Sequence, residues 1–182
     1  MRLSMINAIV AAALGASLVG LSGAAAAAVG SVQPLALTYL PLTNYNSGKC
    51  LDLPESSSDD GQGLEQYQCN GGANQKWALQ YIDSDTSSNY YRIVNQSSGK
   101  CVDVRDRSSD NNAVVVQNGC NTQFSQQWKL NYVADGTLRF QLVARHSLKC
   151  ATVANSSTAN KAGILQYSCG TSVNWNQYWL YG

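Results

Sequence analysis

The residues with the plainest chemistry in this chain are its six cysteines. Cys50, Cys101 and Cys150 are each followed nineteen residues on by a second cysteine, Cys69, Cys120 and Cys169. Paired thiols can ligate a metal or oxidise to a disulfide. With a single histidine, His146, and no Cys-x-x-Cys, the ligand spacing of a zinc site is missing. Six cysteines allow fifteen pairings. One bridge per repeat, Cys50 with Cys69, Cys101 with Cys120 and Cys150 with Cys169, respects the spacing most simply. Each would close a loop of about 20 residues, worth roughly 3 kcal/mol on the chain-entropy model. A second triplet accompanies the cysteines. Gln-x-Trp occurs at Gln75–Trp77, Gln126–Trp128 and Gln177–Trp179, with steps of 51 residues.

The elements that position these residues follow from the repeat. The segments NSGKCLDL, SSGKCVDV and HSLKCATV align without gaps, so one unit of about fifty residues is written three times. Within it the apolar residues alternate in short runs, as in Tyr91 and Ile93, or in Val102 and Val104 flanking Asp103. That is the period of strands. Between the runs lie PESSSDDGQG, RDRSSDNN and ANSSTANKAG, whose residues favour turns and break helices. An all-β fold is predicted. Units this short cannot each bury a core, so they must pool their apolar residues around a shared axis. Trp77, Trp128 and Trp179 belong there, with the glutamine two residues before each satisfying turn backbone through its amide. Gln-x-Trp is thus read as a structural motif.

The first thirty residues hold one charge, Arg2, then an apolar run and an Ala-rich tract. This pattern predicts a secretory signal peptide over residues 1–28, a short segment over 29–35 and export to an oxidising, extracellular compartment. Loss of Arg2 leaves the mature chain balanced between basic and acidic residues. A neutral chain lacks the electrostatic footprint of a nucleic-acid or anionic-lipid partner. A monomer is expected, without membrane insertion after cleavage. No cofactor is expected, since there is neither a ligand cluster nor a phosphate-cradling glycine loop.

Three Gln-x-Trp motifs, the pattern KCLDL…QYQC…NQKW and the threefold repeat together resemble the ricin-B-type lectins. These are β-trefoil carbohydrate-binding modules often attached to secreted glycosidases. The resemblance covers about residues 36–182, with repeats at about 36–85, 86–135 and 136–182. It implies a β-trefoil in which each repeat can hold one shallow sugar site. Such a site uses an Asp just after the first Cys, a polar residue on the next strand, an aromatic two before the second Cys, and an Asn beside the Gln of Gln-x-Trp. Those types suit a sugar, which presents vicinal hydroxyls on one edge and C–H bonds on one face. A carboxylate accepts the hydroxyls strongly, an aromatic ring takes the C–H face, and an amide both donates and accepts.

Carried over residue by residue, the first repeat is nearly complete, with Asp52, Glu65, Tyr67, Asn74 and Gln75. Glu65 stands where Gln is common; it can accept but not donate, and it repels Asp52 if the two are close. The second repeat keeps Asp103 and Gln126 but has Val116 on the strand, Asn118 at the platform and Ser125 in place of Asn, so a feeble site is expected. The third keeps Tyr167 and Asn176 but has Thr152 where Asp belongs and Leu165 on the strand. Two extra residues between Cys169 and Gln177, with Trp175 near them, reshape its loop. This repeat is read as structural, with a re-invented site on Tyr167 and Trp175 as the alternative.

The function expected is a secreted lectin for galactose-like or xylose-like glycans, working mainly through the first repeat. The alternative is a trefoil that binds a protein partner in the manner of a protease inhibitor, with relic sugar residues. A glycosidase using Asp52 and Glu65 as its carboxylate pair is disfavoured. The repeats fill the mature sequence, and shallow trefoil pockets admit too much water for hydrolysis through a carboxylate pair.

Overall fold

The structure, a computed structural model, describes residues 36–171 and 173–182. The expected signal peptide and the segment 29–35 lie outside the described residues. All regular structure among those residues is β-strand or single 3-10 turns, as the alternation and turn composition require.

The first repeat contributes β1 (Leu40–Asn44), β2 (Cys50–Asp52), β3 (Gln62–Gly63), β4 (Glu65–Tyr67) and β5 (Lys76–Ser84). The second contributes β6 (Asn89–Asn95), β7 (Cys101–Val104), β8 (Val115–Asn118) and β9 (Trp128–Tyr132). The third contributes β10 (Phe140–Ala144), β11 (Cys150–Val153), β12 (Ala162–Tyr167) and β13 (Tyr178–Tyr181). The first and last long strand of each repeat close a ring through the antiparallel pairs β1–β5, β5–β6, β6–β9, β9–β10, β10–β13 and β13–β1. Inside each repeat the middle strands form a hairpin, β2–β4, β7–β8 or β11–β12. The hairpins are tied to one another by β4–β12, β3–β8 and the bridge Val114–Leu165. A barrel closed by three hairpins is the β-trefoil.

The pooled core is the one the repeat calls for. Trp77, Trp128 and Trp179 are each 0% exposed, among Leu42, Ile93 and Leu142 from the opening strands and Leu53, Val104 and Val153 from the hairpins. Each indole N–H donates to the backbone carbonyl of Leu51, Val102 or Ala151, at 3.0, 3.1 and 3.2 Å. A buried Trp thus has its polar edge satisfied as well as its ring packed. The three disulfides pair within repeats, with Cα–Cα separations of 5.1, 5.0 and 5.0 Å. Each joins the two ends of a hairpin, the segment that carries the candidate site residues.

Candidate functional site

In the first repeat β2 places Asp52 directly across from Glu65 on β4, while Tyr67 lies two residues along the same strand and on the same face. The 3-10 turn Ala73–Gln75 brings Asn74 against them. These four residues line a shallow depression of about 310 Å³, together with Glu55 and Lys161. Asp52 is only 5% exposed. Its Oδ1 accepts hydrogen bonds from Asn74 Nδ2 at 3.0 Å and Gln75 Nε2 at 2.8 Å. Among the described residues nothing donates to its Oδ2, which leaves an oriented acceptor for a ligand hydroxyl. Burial pushes the Asp52 carboxyl above its ordinary value of 3.8, against the pull of the bonds from Gln75 and Asn74. Glu65 is also raised, by burial first, then by the charge of Asp52; Lys161 pulls it back and Glu55 adds to the rise. The repulsion foreseen for Asp52 and Glu65 is present.

Gln75, which the resemblance places among the sugar-contacting residues, stands behind the depression, 1% exposed. Its Oε1 accepts from Asn70 N at 2.8 Å, and its Nε2 donates to Gln68 O at 3.1 Å as well as to Asp52. It closes a turn and aims a carboxylate. Gln126 and Gln177 close the equivalent turns, Gln126 donating to the carboxylate of Asp103 at 3.1 Å and Gln177 to the hydroxyl of Thr152 at 3.0 Å.

In the second repeat both oxygens of Asp103 are committed. Oδ1 accepts from Val104 N at 2.7 Å, and Oδ2 accepts from Gln126 and from Asn118 Nδ2 at 2.9 Å. Asn118, in the platform position, also accepts from Gly61 N of the first repeat at 2.8 Å. It therefore does more than omit an aromatic ring: it adds a further donor to the carboxylate and holds a loop of the first repeat.

The third repeat has a depression of about 380 Å³, lined among others by Thr152, Leu165, Tyr167, Asn174, Asn176 and, from the second repeat, Asn112. Tyr167 is 44% exposed. Thr152 donates to Cys150 O at 2.9 Å and accepts from Gln177, so its hydroxyl serves the fold. Trp175 is not among the lining residues. Its ring meets Tyr45 edge-on with centroids 6.0 Å apart, and Arg139 lies 4.8 Å over that tyrosine. A joint site of Tyr167 and Trp175 is not what the turn Trp175–Gln177 presents.

Two sets of residues escaped the sequence reading. Lys161 and Asn112 reach the depressions of the following repeat, a placement that only barrel closure creates. Glu55 reaches its depression because it and Ser56 adopt positive φ, 54° and 53°, turning the chain after β2. Its counterparts Asp106 and Asn155 also take positive φ, and the constant five-residue offset of these three positions from Cys50, Cys101 and Cys150 was the available signal. Among the described residues no group of three or more His, Cys, Asp or Glu side chains could hold a metal ion.

The sequence matches the ricin-type beta-trefoil lectin domain-like family over residues 34–117, 80–167 and 125–180. Among solved structures it is similar to ThreeFoil, a designed 3-fold symmetric protein, with 38% identity and a TM-score of 0.71 over 79% of this chain and 96% of that one. It is also similar to an exo-beta-1,3-galactanase from Clostridium thermocellum, with 32% identity and a TM-score of 0.73. There the match covers 82% of this chain but only 31% of the galactanase. The Rhizoctonia solani agglutinin shares the fold at 24% identity and a TM-score of 0.67, covering 82% of this chain and 96% of that one.

Proposed function

The chain belongs to the ricin-type β-trefoil lectin domain-like family, and from that premise we propose that it is a secreted, monomeric carbohydrate-binding protein. It holds a galactose-like or xylose-like residue in the first-repeat depression and performs no chemistry on it. The observation that carries this reading is the state of Asp52, a buried carboxylate with one oxygen fixed by two amides and the other left without a donor among the described residues, facing Tyr67 and Asn74. An acceptor so oriented suits two neighbouring hydroxyls, and Tyr67 offers the stacking plane. Glycan recognition is further supported by the family itself. The third-repeat depression supports a weaker second site, since it keeps the tyrosine and the asparagine but has Thr152 and Leu165 in place of the carboxylate and the polar strand residue.

Titration calorimetry with free galactose and xylose oligosaccharides tests the assignment. Asp52→Ala and Tyr67→Ala each remove roughly 1–3 kcal/mol. A single shallow site starts near millimolar to micromolar affinity, about −4 to −8 kcal/mol, so either change reads as complete loss. Asp103→Ala leaves the free-oligosaccharide affinity in place. Binding that survived Asp52→Ala and vanished in Tyr167→Ala would move the working site to the third repeat.

A further inference from the structure

The two depressions share a tyrosine platform and an asparagine at the same turn position, but they differ in charge. The first is lined by three carboxylates, Asp52, Glu55 and Glu65, against one ammonium, Lys161. Among the described residues the third is lined by no carboxylate, ammonium or guanidinium, and it has Asn112 where the first has Lys161. Lys161 does not neutralise its neighbours by pairing. The ion pairs among the described residues are Lys100–Asp60, Arg139–Asp135 and Arg145–Asp83. The first depression therefore keeps an excess of negative charge close to any bound ring.

We propose that the first-repeat depression selects glycans by charge: it accepts neutral and amino sugar residues and rejects those bearing a carboxylate, whereas the third-repeat depression does not discriminate. The inference rests on reading the first depression as a sugar site. Two uncompensated charges within a few ångströms of a ligand carboxylate, at the high effective dielectric of a shallow surface, weaken it about tenfold. The same field draws a protonated amine. Burial and then the charge of Asp52 push the Glu65 carboxyl above its ordinary value, which fits a site in which one more negative charge is unwelcome.

The test compares probes that differ in charge and little else. Galacturonate and its methyl ester, glucuronate (xylose bearing a carboxylate) and its methyl ester, and galactosamine against N-acetylgalactosamine are titrated calorimetrically into the full chain at near-neutral pH. The acids are expected to bind about tenfold more weakly than their esters, with the gap shrinking as salt is added. Galactosamine is expected to gain over its acetylated form. In Glu65→Gln the acid-to-ester ratio narrows about threefold, and in Lys161→Gln it widens by a similar factor. Equal binding of acids and esters, or a ratio unmoved in both variants, overturns the selection. If galactose, xylose and both esters are all silent, the sugar-site reading itself fails and takes this inference with it, an outcome recognisable because no neutral probe binds.

Discussion

Asp52 and Asp103 occupy the same position on β2 and β7, two residues after a disulfide cysteine, and each receives a hydrogen bond from the glutamine of Gln-x-Trp. They part company in what else reaches the carboxylate: Oδ2 of Asp52 has no donor among the described residues, whereas Val104 N bonds Oδ1 of Asp103 and Asn118, at the position of Tyr67, joins Gln126 on its Oδ2. The buried position of Asp52 also gives its ligand affinity a pH dependence. Its pKa is raised, chiefly by desolvation, as is that of Glu65. Sugar binding that needs the Asp52 anion is therefore lost, as the solution is acidified, at a pH above the 3.8 of an ordinary aspartate. A titration of affinity against pH checks this, and Asp52→Asn should bind weakly with that step gone. For stability the sign is opposite to that of an ion-paired carboxylate. The folded chain holds these protons more tightly than the unfolded chain, so their contribution is present at low pH and is lost as pH rises through the raised values.

At the scale of elements, the hairpins carry both the staples and the site residues, and how much of this the sequence disclosed depends on the range of the interaction. The disulfides and the core tryptophans were legible because each lies at the repeat period and each satisfies its needs within one repeat. The direction of the chain after each hairpin strand was not. Glu55, Asp106 and Asn155, with Ser56, Arg107 and Ser156, take positive φ without a glycine among them. No local composition rule points to a left-handed pair in PES or RDR. The placement costs stability, because an L-residue in this region pays roughly 1–2 kcal/mol, of which Gly would return a net of about 0.5–1 kcal/mol after its own entropy loss. Arg107 is the cleanest place to measure it, being exposed and outside both depressions of the candidate sites. Arg107→Gly is expected to stabilise the fold by that amount in urea unfolding, and Arg107→Ala to give no such gain because its Cβ keeps the strain.

For the whole molecule the deciding contacts run between repeats. Gln66, Gln117 and Gln166, each the penultimate residue of a second hairpin strand, are fully buried. Each accepts from a serine of its own repeat, Ser47, Ser98 or Ser147, at 2.7, 2.8 and 2.8 Å. Each then donates to two carbonyls in the loop of the preceding repeat around the ring: Gln117 to Ser57 and Asp59, Gln166 to Ser108 and Asp110, Gln66 to Ser157 and Ala159. Beside them Asp60, Asn111 and Asn160 accept from Gly119, Ser168 and Gln68, so every loop is clasped by the next repeat and the clasp closes on itself. The same interlock carries Lys161 and Asn112 into neighbouring depressions, which is why single-repeat reasoning could find Asp52 and Tyr67 but not their cross-repeat companions. A closed clasp differs from a stack of repeats that can open one at a time, because breaking one joint loosens the loops on both sides. Gln117→Leu keeps the volume and removes the amide, stranding two carbonyls and the Ser98 hydroxyl at a cost of about 2–4 kcal/mol. Urea unfolding of that variant, followed by tryptophan fluorescence and by circular dichroism, should show a lower midpoint in a single coincident transition with the slope unchanged. Independent repeats would instead give a partial transition confined to the second repeat.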